Sequence, residues 1–402
     1  MRILVVYPYV PYPPDRGTFQ RTYHLLRALA RDHEIDLFAL CENGEREDQK
    51  AHFETFCRRV EFVRFTHPAW PRLFPDRLLH PLPTTIRHWR LPHLAEALER
   101  FVQGQVYRLA HVCDIVMAQY FLKGPLRTMP LAIDRSRVDL QFQLAQRAAL
   151  SHGFRQTLLD WENLAKLRRY EVKVARRAAV EVVCGPDDDT FIRGEICRSV
   201  PVLVITNGVD LDYFRPDSTS VPRDPLPTVL FCGAMDYSPN VDALRWFFDE
   251  IHDGLRQWVP DVRVLIVGKA PVPEVKAYAE RPGVTVTGGV PDVRPYYRRA
   301  WLQIVPLRIG GGTRLKIPES MAMGTPVVST TIGAQGLELR HGEDILLADT
   351  PDSFVQETAT ALRDDKLRHH LEVVGQKTVQ DRLSWKTLGQ KLSDSYAHRF
   401  TA

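Results

Sequence analysis

The sequence predicts an α/β protein of two doubly wound Rossmann-like domains that face each other across a cleft. The first observation is an apolar run at Ile3–Val6, an amphipathic helical pattern and a second apolar run at Ile35–Leu40, which together are typical of a βαβ unit in a parallel sheet. The second is that the same rhythm restarts at Val229–Gly233. The third is a segment rich in Pro, Ser and Asp at 215–227, a composition typical of linkers.

Short apolar runs predict the other strands of both domains. They lie at Val60–Phe65, Ile115–Ala118, Leu131–Ile133 and Val180–Cys184, and then at Val262–Gly268, Val284–Thr287, Leu302–Val305 and Pro326–Ser329. The stretch 155–179 has no Gly or Pro, which predicts one long helix. We expect a first domain at 1–205, a linker at 206–227, a second domain at 228–383 and a C-terminal helix at 384–402 that crosses back to the first domain.

Composition and charge exclude several protein classes. The 402 residues hold 53 Lys and Arg against 49 Asp and Glu, a net charge of +4 that is too small to indicate nucleic-acid binding. Residues 1–205 carry 30 of the basic and 24 of the acidic residues, which favours an anionic partner there. The six cysteines form no C-x-x-C pair, no apolar run reaches a membrane span, and 1–8 looks like a strand rather than a signal peptide. We therefore expect a cytoplasmic protein.

The most informative stretch is a glycine-rich loop after the strand Leu302–Val305. Three glycines in a row let backbone N–H groups approach a ligand closely. The loop leads into a short helix, and a helix N-terminus favours phosphate. The residues of the loop are Gly310, Gly311, Gly312 and Thr313.

Charged residues follow this loop directly. Arg314 and Lys316 add two positive charges just ahead of the predicted helix. Glu319, in its first turn, is an acceptor that can take hydrogen bonds from a ribose diol. This order of residues predicts a binding site for a nucleoside diphosphate rather than a solvated surface loop.

Further motifs occur in a fixed order along the chain. They are the Pro-rich loop ending at Gly17, Asn207–Asp210, Phe231–Asn240, Val267–Gly268 and Thr287–Pro295. Together with the glycine-rich loop they resemble the GT-B glycosyltransferases, in particular the retaining family-four group (glycosyl transferases group 1). Within that group the chain is similar to sugar transferases of bacterial exopolysaccharide and PEP-CTERM/exosortase systems, and the resemblance covers nearly the whole chain.

The resemblance implies roles in donor binding. Glu319 corresponds to the second glutamate of the family's E-x7-E motif, which holds the donor ribose. The glycine-rich loop faces the donor sugar and phosphates, and Arg314 and Lys316 are placed to neutralise the diphosphate. Val290 corresponds to a position whose backbone recognises the nucleotide base, and Gly233 belongs to a donor-binding motif.

For the first domain, the resemblance implies contacts with the diphosphate and the acceptor. Gly17 and Thr18 correspond to a loop that approaches both. Gln119 or Tyr120 would lie near the acceptor, where the family often has a histidine. Retention of configuration is expected by front-face return, in which the leaving phosphate helps to deprotonate the acceptor. Double displacement needs a carboxylate beside the anomeric carbon, for which Asp134, at the end of a strand, is the candidate.

Two departures from the family pattern stand out. The first glutamate of E-x7-E falls on Gly311, which leaves the identity of the sugar open. The usual Arg and Lys after the first strand of the second domain are replaced at 234–235 and 239–240, so the positive charge has moved to Arg314 and Lys316. Because these cations can stabilise the leaving diphosphate, we predict no metal and no cofactor beyond the nucleotide sugar.

Two other segments admit more than one interpretation. Asp187–Asp189 contains a D-x-D that could hold a metal, but its place before a helical stretch favours a capping role. The stretch 67–93 combines aromatic residues with arginines, which suits either a surface loop or a contact with an anionic membrane. Its arginines are Arg72, Arg77, Arg87 and Arg90. The basic residues of the long helix form a solvated face or a phosphate-binding lip.

The sequence thus predicts a retaining glycosyltransferase that moves a sugar from a nucleotide-diphosphate donor to a glycan or polyprenyl-linked acceptor in bacterial surface polysaccharide assembly. We expect it in the cytoplasm, with peripheral contact to the inner face of the plasma membrane as one interpretation. The alternatives are a sugar-nucleotide epimerase of the same fold and a non-catalytic scaffold that binds nucleotide sugars.

Overall fold

The computed structural model describes residues 1–14, 17–42, 47–66, 80–149, 154–216, 221–309 and 314–400. These residues form two compact units, one of Met1–Ile205 with Gly389–Ala402 and one of Thr206–Leu388. Each unit contains one parallel β-sheet. The expectation of two Rossmann-like domains is therefore confirmed.

The sheet of the first unit has the strand order β3-β2-β1-β4-β5-β6-β7 in the described residues, and all of its pairings are parallel. Its strands are β1 (Arg2–Tyr7), β2 (Glu34–Cys41), β3 (Arg59–Arg64), β4 (Leu109–Cys113), β5 (Leu131–Asp134), β6 (Val180–Val183) and β7 (Val202–Val204). Strands β1, β4, β5 and β6 are almost entirely buried, which explains their largely apolar sequences. Strands β4, β5 and β6 each bury one polar residue, namely His111, Asp134 and Glu181.

Helices flank this sheet. They are α1 (Gly17–Asp32), α2 (Glu47–Glu54), α3 (Thr84–Arg87), α4 (Pro92–Val102), α5 (Ile115–Ala118), α6 (Asp139–Ala149), α7 (Phe154–Arg177) and α8 (Pro186–Phe191). Short 3₁₀ turns lie at Gln119–Phe121 and Pro125–Thr128, and a π-helical turn lies at Ile192–Ile196.

One strand prediction in the first unit is wrong. Ile115–Ala118 is a helical turn, and the strand is the preceding run Leu109–Cys113. The physical reason is Asp114, which has φ +70° and whose side chain accepts a hydrogen bond from Val116 N at 3.3 Å. This N-cap ends the strand and starts the helix one residue later. Four buried apolar residues alone do not distinguish the two states.

The sheet of the second unit has the order β10-β9-β8-β11-β12-β13 and is likewise parallel among the described residues. Its strands are β8 (Thr228–Cys232), β9 (Arg263–Val267), β10 (Val284–Gly288), β11 (Leu302–Val305), β12 (Val327–Ser329) and β13 (Leu346–Leu347). The order reverses between β8 and β11, and ligands of doubly wound sheets bind at such a reversal, beyond the carboxyl ends of the strands.

The helices of this unit are α9 (Ser238–Trp246), α10 (His252–Trp258), α11 (Pro273–Ala277), α12 (Arg294–Arg299), α13 (Lys316–Ala322), α14 (Pro351–Arg363) and α15 (Asp365–Thr378). Two π-helical turns, Phe247–Ile251 and Val379–Leu383, and one 3₁₀ turn, Tyr278–Glu280, complete them. The segment assigned to a linker is attached to this unit, since Val209 N donates to Leu383 O at 2.9 Å.

The last helix, α16 (Trp385–Phe400), begins in the second unit and continues in the first. From Gly389 onward it packs on the first unit, where a Cβ at Gly389 would lie only 2.2 Å from Ala28 Cβ. Further along, the Tyr396 hydroxyl lies 2.8 Å from His111 Nδ1 in the buried strand β4. A glycine at this helix crossing therefore allows the close approach of α1 and α16.

Candidate functional site

The carboxyl ends of β8 and β11 carry the residues that the sequence singled out in the second unit. Directly after β8, Gly233 has φ +157° and its N–H donates to Val267 O at 3.0 Å. A Cβ on Gly268, after β9, would lie 1.6 Å from Gly233 O. Two glycines thus bring the loops after β8 and β9 into backbone contact at the edge where a ligand is expected.

Lys316 lies against this turn although it is 83 positions further along the chain. Its ammonium donates to Asn240 Oδ1 at 2.9 Å and lies 4.5 Å from the centre of the Phe231 ring. A Cβ on Gly233 would lie 3.0 Å from Lys316 Nζ and 2.7 Å from Asn240 Nδ2. The glycine therefore leaves the space that the ammonium occupies.

The environment of Lys316 disfavours its charge. Burial, together with a weaker effect of Arg314, lowers the pKa of Lys316 to about 8, against the raising effects of Cys232 and Glu319. The side chain nevertheless keeps partial exposure to solvent. A neutral amide does not neutralise the ammonium that donates to it, so the protonated form of Lys316 can pair with an incoming anion.

Glu319 lies one turn further along α13. Its Oε2 accepts a hydrogen bond from the hydroxyl of the buried Tyr297 at 3.1 Å. Burial raises the pKa of Glu319 to about 7, against smaller lowering effects of Tyr297 and Lys316. The Tyr297 hydroxyl donates to one of the two carboxylate oxygens, Oε2. The carboxylate is partly exposed, and its other oxygen can accept a hydrogen bond from a ligand hydroxyl.

The start of α13 differs from the prediction in one respect. Lys316 is the first residue of the helix and does not precede it, and the helix has seven residues. So short a helix has a weak dipole, and the side-chain charges dominate the electrostatics. Arg314 is half-buried just before the helix, and burial lowers its pKa. The predicted loop residues Gly310, Gly311, Gly312 and Thr313 lie outside the described residues.

Val290, the predicted base-binding position, follows β10 and is partly buried against the core of the second unit. Two residues later, Asp292 accepts hydrogen bonds from Arg294 Nε at 3.0 Å and from Arg294 Nη2 at 2.8 Å. In the second unit the structure thus brings the backbone of Gly233 against the Lys316 ammonium, with the charges of Arg314 and Glu319 in electrostatic reach.

In the first unit, Gly17 and Thr18 begin α1 and are exposed. Gln119 and Tyr120, the predicted acceptor-side residues, instead make internal contacts. Gln119 Nε2 donates to Ile86 O at 3.2 Å and to Val116 O at 2.8 Å. The Tyr120 hydroxyl donates to Trp89 O and accepts from Leu91 N. Both side chains therefore position the segment 86–91.

The role of Asp134 as a carboxylate beside the anomeric carbon stays a prediction, and the structure places this residue in an internal ion pair. Asp134 is fully buried, and its Oδ1 accepts from Arg21 Nη2 at 2.6 Å and from Arg21 Nε at 3.0 Å. Arg21 Nη1 in turn donates to Ile205 O at 2.7 Å. The carboxylate thus belongs to a buried ion pair in which Arg21 contacts one of its two oxygens, Oδ1.

The aspartates at 187–189 cap a helix, as the sequence favoured. Asp188 Oδ2 accepts from Gly185 N at 3.1 Å at the start of α8. Nowhere in the described ranges do three or more His, Cys, Asp or Glu side chains group as metal ligands would. The prediction that the reaction needs no metal stays a prediction.

The structure describes only part of the segment 67–93 for which membrane contact was considered, and Arg72 and Arg77 lie outside the described residues. Within the part that is described, the Trp89 ring stacks on the Phe65 ring at 4.6 Å between centres. None of the helices in the described ranges combines the length and the apolar composition needed to cross a bilayer.

Sequence reasoning missed Asn240 and Tyr297, which hold Lys316 and Glu319. A polar side chain in the first turn of the helix after Gly233 was the available signal for Asn240. Tyr297 gave none, because an aromatic residue in a helix is typical of any core.

Comparisons with known proteins agree with this geometry. The family model of Glycosyl transferases group 1 matches residues 226–364. A protein of Klebsiella pneumoniae described as an uncharacterized 44.6 kDa protein in the cps region is 28% identical over 136 residues, which are 32% of this chain and 35% of that protein. Phosphatidyl-myo-inositol mannosyltransferase of Mycobacterium leprae is 29% identical over 205 residues, which are 48% of this chain and 52% of the enzyme. The chain thus spans about a third to about half of the length of these curated relatives.

Solved structures match over the full chain. Sucrose-phosphate synthase from Thermosynechococcus elongatus has a TM-score of 0.72 at 18% identity and covers 100% of both chains. Anabaena HepE in complex with UDP has a TM-score of 0.67 at 16% identity, with 99% of this chain and 100% of that chain covered. At this identity the likeness establishes the fold and not the activity.

Proposed function

We propose that this protein transfers a sugar from a nucleotide-diphosphate donor to an acceptor. Its fold is GT-B, and its residues 226–364 match the family Glycosyl transferases group 1. The observation that carries the proposal is the cluster of Lys316, Asn240 and Gly233 beside Glu319, at the point where the strand order of the second sheet reverses. This cluster offers one cation and one carboxylate acceptor at the place where doubly wound sheets bind nucleotides.

The chemistry follows from the charges. When the bond between sugar and diphosphate breaks, negative charge grows on the leaving phosphate, and a fixed cation lowers the energy of that transition state. With a pKa of about 8, Lys316 is mostly protonated at pH 7. A bound diphosphate favours the charged form further. Glu319 would meanwhile accept hydrogen bonds from the donor ribose.

We propose retention of configuration through a front-face route. In this route the acceptor oxygen forms its bond to the anomeric carbon on the side that the diphosphate leaves, and its proton passes to a leaving phosphate oxygen. No protein carboxylate is needed for this step. The burial of Asp134 under Arg21 supports it, because Asp134 was the carboxylate considered for double displacement.

A nucleotide-sugar screen tests donor binding. The full chain is melted with UDP-, GDP- and ADP-sugars, and one of them should raise the melting temperature, since ligands that bind the native state stabilise it. HepE, whose fold this chain shares, is described in complex with UDP, so the uridine compounds come first. If no nucleotide sugar and no nucleoside diphosphate shifts the melting temperature, the proposal fails.

An acceptor assay separates transfer from the alternatives. A transferase releases nucleoside diphosphate only when acceptor is added, whereas an epimerase interconverts the donor without acceptor. A scaffold gives equal background rates for the wild type and Lys316→Ala. The anomeric configuration of the product, read by NMR, tests retention.

We further propose that the acceptor is a glycan or a polyprenyl-linked glycan of bacterial surface polysaccharide, handled at the inner face of the plasma membrane. The relative in the Klebsiella cps region and the mannosyltransferase named for a phosphatidylinositol acceptor support this direction.

A face of the hairpin formed by α6 and α7 supports membrane contact. Leu158 and Trp161 on α7 are 59% and 57% exposed, and the Arg147 guanidinium lies 3.8 Å from the centre of the Trp161 ring. An exposed tryptophan beside an arginine suits an interface with anionic headgroups. From Arg168 to the end of α7 the exposed residues are all basic, namely Arg168, Arg169, Lys173 and Arg176.

Vesicle flotation tests this contact. The wild type should float with vesicles that contain phosphatidylglycerol and remain in solution with pure phosphatidylcholine, and Trp161→Ser should float less. Trp258→Ser, an exposed tryptophan near Arg363 in the other unit, is the matched control. Equal flotation of Trp161→Ser and the wild type would reject this surface.

A further inference from the structure

One exposed aromatic residue near the donor site has no role in the proposal above. Tyr213 is 41% exposed, in the turn that follows Asp210. The guanidinium carbon of Arg294 lies 4.1 Å from the centre of the Tyr213 ring, a cation–π contact. Although the guanidinium and the neighbouring Phe214 ring both contact it, Tyr213 keeps this exposed surface.

The contact is fixed from several sides. Arg294 Nε and Nη2 both donate to Asp292, and Arg294 Nη1 donates to Tyr213 O at 3.1 Å. The Tyr213 hydroxyl donates to Asp292 Oδ1 at 3.4 Å. An aromatic ring held this way loses little conformational freedom when a ligand stacks on it.

Two chains of contacts place Tyr213 beside the predicted donor positions. Through Asp292 it touches the loop after β10, two residues beyond Val290. Through Phe214, whose ring centre lies 4.9 Å away, it connects to the Tyr297 ring at 6.2 Å and so to Glu319.

The electrostatics agree with this placement. Burial, then the charge of Asp292 and more weakly that of Glu319, raise the pKa of Tyr213. The ring therefore lies within electrostatic reach of the carboxylate that is expected to hold the ribose.

We infer that the Tyr213 ring, backed by the Arg294 guanidinium, is a stacking platform for the nucleobase of the donor. The inference rests on the proposed function and adds a specific residue to it. Stacking tolerates every base because each has a π-face. The platform therefore supplies affinity for the nucleoside and leaves the choice among bases to other contacts.

Binding of nucleoside diphosphates and of inorganic pyrophosphate to the full chain tests the platform. Tyr213→Ala should weaken UDP, GDP and ADP by about tenfold, as expected for the loss of one stacked base. It should leave the Kd for pyrophosphate unchanged, because pyrophosphate has no base. Tyr213→Phe, which keeps the ring, should bind the nucleotides nearly as well as the wild type.

The matched control is Trp258→Ala. Trp258 is 48% exposed and lies near an arginine in the same unit, but it precedes β9 and so lies toward the amino ends of the strands. It should leave every Kd unchanged. Should circular dichroism show that Tyr213→Ala is unfolded, Tyr213→Leu replaces it with the same expectations.

The outcomes are distinguishable. The platform is overturned if Tyr213→Ala leaves the nucleotide Kd values unchanged, or if it weakens pyrophosphate as much as the nucleotides. If the wild type binds pyrophosphate but no nucleoside diphosphate, the platform is also overturned. If the wild type binds neither, the proposed function itself fails.

Discussion

Each unit holds a cationic side chain that is wholly or partly buried, but the hydrogen-bond partners of the two cations differ in charge. In the first unit, the fully buried Arg135 donates to two carboxylates, to Glu171 Oε2 at 2.7 Å and to Glu181 Oε2 at 2.7 Å. In the second unit, the half-buried Lys316 donates to the neutral amide of Asn240. The charge of Arg135 is compensated by carboxylates of the protein itself. The hydrogen-bond partner of Lys316 carries no charge, so the ammonium can pair with a ligand.

This difference teaches how a structural charge is told from a functional one. A buried cation with carboxylate partners is already neutralised, so its removal should affect stability. A cation with a neutral partner at a solvent-accessible edge is costly to hold, and its removal should affect binding. The following predictions test this distinction from the largest expected effect to the smallest.

Arg135→Met should destabilise the protein by about 3–5 kcal/mol, because it leaves two buried carboxylates without their counterion. Urea unfolding of the variant and the wild type measures the change. Burial raises the pKa of Glu171 and the Arg135 guanidinium opposes this effect, so in the variant the folded-state pKa of Glu171 lies further above its unfolded value and the loss should grow as the pH rises from 5 to 8. A variant as stable as the wild type would show that the cluster is not structural.

Lys316→Met should lower kcat/KM by about 100-fold, the usual cost of removing one contact to the developing charge. Its free energy of unfolding should equal or exceed that of the wild type, since a partly desolvated charge is removed. Steady-state kinetics and urea unfolding measure the two effects. The control is Lys377→Met, whose ammonium is exposed and paired with Asp381, and which should leave kcat/KM unchanged. A large loss of stability in Lys316→Met would contradict the distinction.

The pH dependence of UDP binding should be bell-shaped, with its optimum between about pH 7 and pH 8. The pKa of Glu319 is about 7, so at lower pH it becomes a carboxylic acid, which is a weaker acceptor than the carboxylate. The pKa of Lys316 is about 8, so at higher pH the ammonium loses its charge. Glu319→Gln should weaken binding by about tenfold at the optimum, the size of one charged hydrogen bond. It should also remove the part of the acid limb that does not come from the phosphate. Calorimetric titration from pH 5.5 to 9.5 checks this, and an unchanged acid limb in Glu319→Gln would speak against the assignment.

Arg193→Ala should change the free energy of unfolding by no more than about 0.5 kcal/mol. Its ion pair with Asp189 spans one turn and is exposed, so solvent already screens the charges. Thermal unfolding at low and high salt measures the effect. A loss comparable with that of Arg135→Met would mean that burial is not what separates the two pairs.

Much of the fold was predictable from local pattern. Buried strands of a parallel sheet are apolar on both faces, so runs such as Val229–Gly233 and Leu302–Val305 predict strands directly. The turn at Asp114 was harder to predict, because the change from strand to helix depends on one side chain that accepts a hydrogen bond from the backbone two residues later. Short edge strands such as Val202–Val204 carry too little sequence signal to be assigned.

The candidate site was predictable in its charges and not in its contacts. Lys316 and Glu319 follow from the pattern around the glycine-rich loop. Their partners Asn240 and Tyr297 come from other elements, and only the fold of the sheet brings them together. The ion pair of Asp134 was not predictable either, since its partner Arg21 lies 113 residues earlier and no local pattern indicates the pair.

The first unit consists of two separate segments of the chain, Met1–Ile205 and Gly389–Ala402, which affects how it folds during translation. The helix that brings Tyr396 against His111 is synthesised after the whole second unit. Residues 1–205 therefore emerge from the ribosome long before the helix that packs on them has been made. Folding during translation must therefore pass through a state in which α1 and β4 await their last neighbour. A recombinant fragment that ends at Ile205 would be trapped in that state, and a chimera that exchanges first units between proteins must exchange the final helix with them.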